Sequence, residues 1–540
     1  MACRRERHRP CSELRALRFG RPVGSETDST GLVRRGRKVF GLFGSSKPGD
    51  SGDESPASRV KSGIPRLDYI LKGGLLRGGT YTVMGPPGSG KTILGNQFCF
   101  NYASQTGDRC VYLTLLVESF DKMLRHMESL DFFKREYVSE RIVYVSGYPA
   151  LKKDGADGLL ALIRGVLDEH KPAIFVIDGM ESLRQFADGE QRVKEFVHEL
   201  QAFTSLIGCT TLLMTFKDPS YAYTENAVVD GIVELSDTLV GPRAVRELTV
   251  HKFRGGDYLR GRHEVEITGH GLVIHPRTEI QFDKPPGEAT EKRIRMGFGV
   301  REFDKMLFGG LPSGSATALL GAPGAGKTML GLSFLVEGAK QGQKGVYFGF
   351  YEPPPRLIEK AAQINIPLEK YVASGQIELI WQPPLEHMLD SLAEQLLEKI
   401  RENEAARRRL FVDGIEGFRA ASVYPDRMPR FLSAFCNQLR MYDVTGLITE
   451  ELPLFRPEID MPNPELANVV ETVVLLRYVE LKSQLYRLVS IMKMRESQYD
   501  TSIREFKITD SGLEVAASFE SAEAILSGTA RTAPGGGVRS

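Results

Sequence analysis

A chain of 540 residues is too long for one hydrophobic core and suits two domains. Its formal net charge of +1 gives no whole-protein argument for binding nucleic acid or a membrane, and no apolar run of about 18 residues predicts a membrane span. The six cysteines are scattered without a C-x-x-C pair, which excludes the usual zinc-site spacing and favours a reducing, cytoplasmic compartment.

The first predicted segment is residues 1–58, which are rich in arginine and end in a Gly/Ser/Pro/acidic stretch. The segment has no apolar core, so it is not a secretory signal, and its composition predicts disorder. We interpret it as a dispensable tail. A basic arm for nucleic acid and an organelle transit peptide are the alternatives.

The first motif along the chain is GPPGSGKT, which fits G-x-x-x-x-G-K-[ST], the loop that wraps the phosphates of a nucleoside triphosphate. It follows a predicted strand, Thr80–Met84, and begins a predicted helix, Thr92–Ser104, whose N-terminus would face the anion. The lysine supplies charge to the phosphates, and the threonine hydroxyl can ligate Mg²⁺. The predicted ATP-binding residues are Gly85, Gly88, Ser89, Gly90, Lys91 and Thr92.

Three further features of the first half predict the rest of an ATP site. Asp178 ends an apolar run, the position of a Walker B carboxylate that holds Mg²⁺ together with Thr92. Glu118 lies just past another predicted strand, Val111–Leu115, from where it could orient and deprotonate the attacking water. Lys252 and Arg254 alternate along a late strand, so both charges point to one face. They are either solvated edge cations or cations that reach the triphosphate of a neighbouring subunit.

The second half repeats this order, with Lys91 and Lys327 lying 236 residues apart. The motif GAPGAGKT, again behind a strand-like run, predicts a second set of ATP-binding residues: Gly321, Gly324, Ala325, Gly326, Lys327 and Thr328. The matching base is Glu352, the matching metal ligands are Thr328 and Asp413, and the matching basic pair is Lys493 and Arg495. Thr215 and Thr449, which end neighbouring strands, could sense the γ-phosphate.

Strand-like runs alternate with helical patterns in both halves, which predicts an α/β fold with mostly parallel sheets covered by helices on both faces. Ligands of such sheets lie at the carboxyl ends of the strands, where both loops are. The Pro/Gly-rich, charged segment 284–293 is typical of a linker. The sequence therefore predicts an arm over 1–58, domains over 59–283 and 294–517, and a flexible tail over 518–540.

Longer segments around these motifs carry a family resemblance: GIPRLDYILKGG and GVREFDKMLFGG before the loops, HKFRGGDYLRGRHEVEITGHGLVIHPR, and the stretch from Tyr478 to Val515. Over about residues 59–530 the chain resembles the KaiC-like branch of the RecA superfamily, the double-domain circadian-clock ATPases and their relatives. The resemblance implies two tandem RecA-like P-loop domains in a homohexameric double ring, with ATP bound at subunit interfaces. Glu118 and Glu352 would be hydrolytic bases, and the two basic pairs would act on a neighbouring subunit.

The sequence departs from the family pattern in three places. The family usually carries a Glu-Glu pair after the second strand, whereas Val117-Glu118 and Tyr351-Glu352 leave one acid each. Clock members autophosphorylate adjacent Ser and Thr residues, and the matching positions are Ala467 and Asn468, which have no hydroxyl. The tail stops soon after the segment that clock partners bind, so we expect no KaiA-like partner, whereas a KaiB-like partner stays open.

We therefore expect a hexameric ATPase that uses ATP and Mg²⁺ to switch its conformation and partner binding. A Ser/Thr protein kinase that acts on itself or on a partner is the first alternative. A DNA-binding recombinase-like ATPase is the second, although the sequence has no basic loop with interleaved aromatic residues to stack single-stranded bases.

Overall fold

The computed structural model describes residues 59–116, 120–187, 189–217, 223–281, 294–383, 386–402, 408–453, 464–481, 483–495 and 497–517. The predicted arm over 1–58, the linker over 284–293, the tail over 518–540 and Glu118 lie outside the described residues. The domain boundaries stay predictions.

The first half begins with a short antiparallel ribbon and continues into a large sheet. The elements are β1 (Arg59–Val60), α1 (Pro65–Ile70), β2 (Leu75–Leu76), β3 (Thr80–Gly85), α2 (Lys91–Thr106), β4 (Cys110–Thr114), α3 (Phe120–Met127), β5 (Ile142–Ser146), α4 (Tyr148–His170), β6 (Ile174–Asp178), α5 (Met180–Phe186), α6 (Glu190–Leu206), β7 (Thr210–Phe216), β8 (Gly231–Val240), β9 (Arg243–Phe253), β10 (Arg262–Thr268) and β11 (Gly271–His275). The predicted strand before the first loop and the helix after it are confirmed as β3 and α2.

The sheet of the first half has nine strands in the described residues, in the order β11-β10-β9-β8-β3-β7-β6-β4-β5. Strand β3 pairs in parallel with β7 and β8, and β6, β4 and β5 extend the parallel part. Strands β9, β10 and β11 form an antiparallel extension on the other side. The strand that leads into the phosphate-binding loop is thus the middle one.

The second half has the same architecture. Its elements are β12 (Arg295–Met296), α7 (Arg301–Met306), β13 (Leu311–Pro312), β14 (Ala316–Gly321), α8 (Lys327–Lys340), β15 (Lys344–Gly349), α9 (Pro354–Gln363), α10 (Leu368–Ala373), β16 (Ile377–Trp381), α11 (Leu389–Arg401), β17 (Arg408–Asp413), α12 (Ile415–Ala421), α13 (Met428–Met441), β18 (Val444–Glu451), α14 (Pro464–Val469), β19 (Thr472–Leu481), β20 (Gln484–Met494), β21 (Arg504–Thr509) and β22 (Gly512–Val515). Read from the antiparallel edge, its strand order is β22-β21-β20-β19-β14-β18-β17-β15-β16. This order corresponds to that of the first sheet, strand for strand.

Helices cover both faces of each sheet. Along β6, Ile174 and Val176 pack in one apolar cluster, whereas Phe175 and Ile177 pack in a second cluster. Successive side chains of a strand point to opposite faces, so these two clusters lie on opposite sides of the sheet. A strand that is apolar at every position is typical of a parallel sheet covered twice, which confirms the predicted α/β fold.

The two halves contact each other through ion pairs and hydrogen bonds. Arg427 of the second half donates two hydrogen bonds, of 2.9 and 2.7 Å, to the Glu279 carboxylate of the first half. Arg243, at the start of β9, donates to the carbonyl of His387 at 2.7 Å. His275, at the end of β11, bonds Glu394 of α11 at 2.7 Å. These contacts join β9, β11 and the turn after β11 to α11, to the residues just before it and to the start of α13.

Within the described ranges, we find no helix whose length and apolar content would suffice to cross a membrane.

Candidate functional site

Each phosphate-binding loop joins the middle strand of its sheet to a helix that starts at the loop lysine. Gly90 precedes Lys91 with φ +99°, and Gly326 precedes Lys327 with φ +101°. This left-handed conformation favours glycine. A Cβ atom on Gly90 would also lie 2.8 Å from the Leu272 side chain. Neither helix has a side-chain cap at its N-terminus, so its first N–H groups suit an anion.

The loop lysines fold back over their own loops. The Lys91 Nζ donates to the carbonyls of Gly85 and Pro86 at 2.8 and 2.9 Å. In the second half, the Lys327 Nζ donates to the carbonyls of Gly321 and Ala322 at 2.8 and 3.0 Å. Burial lowers the pKa of both lysines. The two ammonium groups therefore occupy equivalent positions above the loops.

A threonine and an aspartate meet beside each loop. The Thr92 hydroxyl donates to Asp178 Oδ2 at 2.9 Å, and the Thr328 hydroxyl donates to Asp413 Oδ2 at 2.9 Å. The structure thus brings together the residues predicted as metal ligands from segments more than 80 positions apart. Burial raises the pKa of Asp413, whereas hydrogen bonds from Thr328 and Thr449 oppose that shift.

The chemistry of these groups fits ATP with Mg²⁺. A hydroxyl and a carboxylate are hard oxygen donors, which Mg²⁺ prefers. Beside Gly88, at the turn of the first loop, an added Cβ would meet no atom within 4 Å, so the backbone is open to a ligand there. The Ser89 hydroxyl is buried and has no hydrogen-bond partner in the described part of the chain. Bound Mg²⁺ would neutralise negative charge on the phosphates.

The predicted base of the second half lies near this threonine–aspartate pair. Glu352 follows β15 and forms an ion pair with Lys360 of α9. Burial raises the pKa of Tyr347, and the nearby charges of Asp413 and Glu352 add to that shift. Glu352 is therefore close to the Asp413 environment but is already partnered by a cation. Its counterpart Glu118 lies outside the described residues.

The two basic pairs lie just after β-bulges at equivalent positions. The register of β8 and β9 shifts so that His251 is the extra residue, and that of β19 and β20 shifts at Met492. A bulge re-aims the side chains that follow it. Lys252 donates to the carbonyls of Asn226 and Ala227 at 2.9 and 3.1 Å. Arg254 donates to those of Ala227 and Val228 at 3.0 and 3.3 Å.

The second basic pair makes the same kind of contact. Lys493 donates to the carbonyls of Ala467 and Val470, and Arg495 donates to that of Asn468 at 3.0 Å. In each half, the basic pair thus contacts the segment just before β8 or β19. These are the strands that pair with β3 and β14, which lead into the loops. The prediction that each pair shares one face is confirmed, because both members contact the same short segment. Ala467 and Asn468, the positions without a hydroxyl, lie under the second pair.

The threonines that end β7 and β18 differ between the halves. Thr449 donates to Asp413 Oδ1 at 3.1 Å and accepts the N–H of Gly414 at 2.7 Å. Thr215 donates to the carbonyl of Phe216 at 3.4 Å. Among the described contacts, the threonine of the second half reaches the aspartate that was predicted as a metal ligand and that of the first half does not, so γ-phosphate sensing by either threonine stays a prediction.

Two kinds of residue beside the loops were not predicted from the sequence. The Tyr112 hydroxyl donates to Asp178 Oδ2 at 2.6 Å, and the Tyr347 hydroxyl donates to Asp413 Oδ2 at 3.2 Å. Glu181 and Glu416 each lie three residues after the Walker B aspartate, close to the loop lysines. The repeated spacing D-G-x-E was the available signal for the glutamates. For the tyrosines, the signal was the repeated dipeptide Val-Tyr in β4 and β15.

The fold and the paired loops define a duplicated P-loop protein with two tandem RecA-like domains. Each has its phosphate-binding loop at the carboxyl end of the middle strand and a threonine–aspartate pair beside it.

Comparison with known proteins agrees with this class. A family model for the KaiC ATPases matches residues 60–279 and 296–520. The circadian clock oscillator protein KaiC of Rippkaea orientalis is 26% identical over 483 residues, which cover 87% of this chain and 91% of that protein. The protein of the same name from Synechococcus elongatus is 24% identical over 494 residues, or 89% of this chain and 93% of that protein. The one from Prochlorococcus marinus is 25% identical over 483 residues, covering 87% and 95%.

The chain belongs to the KaiC ATPase family, which confirms the resemblance read from its motifs.

Proposed function

We propose that this protein binds and hydrolyses ATP at two sites, one in each domain, over 59–283 and 294–517. The observation that carries the proposal is the 2.9 Å hydrogen bond between a loop threonine and a Walker B aspartate, which occurs in both halves. Duplicated loops that lacked their aspartates would suggest domains that keep the fold but no longer hydrolyse ATP. Two complete sets of phosphate and metal donors suggest two working sites.

Each set of residues has a separate task in hydrolysis. The loop backbone and Lys91 or Lys327 hold the phosphates. The threonine–aspartate pairs would hold Mg²⁺. Glu118 and Glu352 orient the attacking water and take its proton as the bond between the γ-phosphorus and the bridging oxygen breaks. The products are ADP and inorganic phosphate.

The active assembly in this proposal is a homohexamer with each ATP shared between neighbours. The support is the family membership together with the exposed side of the basic pairs, where the hydrogen bonds of Arg254 and Arg495 are open to solvent. An arginine whose hydrogen bonds to backbone carbonyls are exposed to solvent can also face a neighbouring subunit. Slow turnover would switch the conformation of the ring and its binding of a KaiB-like partner.

Incubation with γ-labelled ATP tests the reaction. Released labelled phosphate, with no label retained on the protein, is the expected result. Label that stays on the protein would instead support a Ser/Thr kinase, although Ala467 and Asn468 offer no hydroxyl at the usual position. Native mass spectrometry tests the assembly, for which we expect a hexamer. Salt-dependent DNA binding that is lost on removal of residues 1–58 would favour the recombinase-like alternative.

A further inference from the structure

Two glutamates that the proposed mechanism does not use lie inside the candidate ATP sites. Glu181 lies in the first turn of α5, three residues after Asp178, and Glu416 lies in the first turn of α12, three residues after Asp413. The spacing D-G-x-E is identical in the two halves. Both carboxylates lie close enough to the loop lysines for their charges to oppose the effect of burial on the lysine pKa.

Each of these glutamates has a buried oxygen without a partner. Glu181 Oε1 and Glu416 Oε2 are shielded from solvent and accept no hydrogen bond within the described residues. Burial raises the pKa of Glu181, and the nearby Thr215 hydroxyl opposes that shift without reaching Oε1. Glu416 Oε1, in contrast, accepts the N–H of Glu451 at 2.9 Å. A buried polar atom without a partner is unfavourable, so its persistence in the same place of both domains indicates a partner that arrives with the ligand.

Each site contains one other acid from the sequence prediction. After the second strand of each half the chain carries one acid, Glu118 or Glu352, preceded by Val117 or Tyr351. In the second half that single acid is ion-paired with Lys360. Glu416 lies in α12, just after the adjacent strand β17, and its ion pair within the described residues is with Arg419, at 3.9 Å.

We propose that Glu181 and Glu416 are the second acidic residue of the two ATP sites. The free oxygen of each accepts a hydrogen bond from the water that attacks the γ-phosphate and so fixes the direction of its lone pair. One water proton then passes to the base of the proposed function, and the other stays on the phosphate product. This inference rests on the proposed function, because it needs ATP hydrolysis at both sites.

The test compares the full-length double variant Glu181→Gln/Glu416→Gln with the matched control Glu140→Gln/Glu369→Gln, whose glutamates are exposed on the surface. Glutamine keeps the size of the side chain and removes its charge. We expect kcat to fall about 10-fold or more in the first variant, because a neutral amide oxygen accepts the hydrogen bond from water more weakly than a carboxylate does. The affinity for ATP should stay the same or rise, because a negative charge near the phosphates is removed. The control should keep both values.

Three results would overturn the inference. The first is a kcat within about threefold of the control. The second is a loss of ATP affinity, and the third is a fall in Tm that accompanies the fall in kcat, since both would assign these glutamates to packing. Failure of the proposed function looks different: the unmodified protein would then release no phosphate from ATP. If the unmodified protein and Glu181→Gln/Glu416→Gln hydrolyse ATP at the same rate, this inference is wrong and the proposed function stands.

Discussion

Replacement of the two arginines by alanine, Arg254→Ala/Arg495→Ala, distinguishes a structural role within their own chain from a catalytic role at the ATP of a neighbouring subunit. In the structure, Arg254 donates to the carbonyls of Ala227 and Val228 at 3.0 and 3.3 Å, and Arg495 donates to that of Asn468 at 3.0 Å. All three contacts are exposed, so water can replace the lost donors. We therefore expect a loss of stability of no more than about 1.5 kcal/mol per site.

A role at the neighbour's ATP gives a much larger effect on turnover. An arginine that stabilises the transition state of phosphoryl transfer is worth about 10³- to 10⁵-fold in rate. That corresponds to about 4–7 kcal/mol, several times the expected loss of stability. The double variant should therefore bind ATP almost normally, melt within a few degrees of the unmodified protein, and release phosphate at least about 100-fold more slowly.

The assay measures phosphate release, ATP affinity and Tm on the same preparations. Arg125→Ala is the matched control, because Arg125 also donates to an exposed backbone carbonyl, that of Asp121, at 3.1 Å. Mixing the arginine variant with Glu118→Gln/Glu352→Gln should restore part of the activity, since some interfaces then contain one intact base and one intact arginine. Turnover within about threefold of the control, or no recovery in any mixture, would show that the arginines serve only their own chain.

Two further predictions concern the buried contacts. Tyr112→Phe removes the 2.6 Å hydrogen bond to Asp178 and should lower stability by about 1–3 kcal/mol, whereas Tyr347→Phe should cost less, because its bond is longer and Asp413 keeps two threonine donors. Urea unfolding checks the order of the two losses, and equal losses would contradict it. For His275, burial alone would lower the pKa, but the hydrogen bonds and charges of Glu266 and Glu394 outweigh burial and raise it to about 9. Its contribution, about 3 kcal/mol, is complete below the unfolded pKa of about 6.5 and is lost as pH rises to about 9. The Tm advantage of the unmodified protein over His275→Gln should therefore shrink between pH 6 and pH 10, and a constant difference would refute this reasoning.

The elements that position the loops could be predicted from the sequence because their signals are local. The strand before Lys91 and the helix after it follow from a short apolar run, three glycines and a helical pattern within about 25 residues. Asp178 was predicted for a similar reason, since an apolar run ends at it. The 236-residue repeat then doubled every such prediction. All of these features are visible without knowing which segments touch.

The contacts that complete the sites could not be predicted, because they join segments far apart in the chain. A tyrosine inside a strand, such as Tyr112, is usually a β-forming residue, and its hydrogen bond to Asp178 crosses 66 positions. An acid in the first turn of a short helix, such as Glu181, is usually a solvated partner of the helix dipole. Its burial and its unpartnered oxygen depend on β7 and the loop, which only the fold brings near.

The number of ATP molecules bound to each chain tests the central claim most directly. Equilibrium binding with Lys91→Ala, Lys327→Ala and the double variant should give one, one and no tightly bound ATP per chain, against two for the unmodified protein. Each substitution removes a cation from the phosphates and should weaken its own site by about 2–5 kcal/mol, which is about 30- to 4,000-fold. Lys72→Ala, at an exposed ion pair with Asp257, is the control and should keep both sites. Two tightly bound ATP molecules in both single variants would contradict the account.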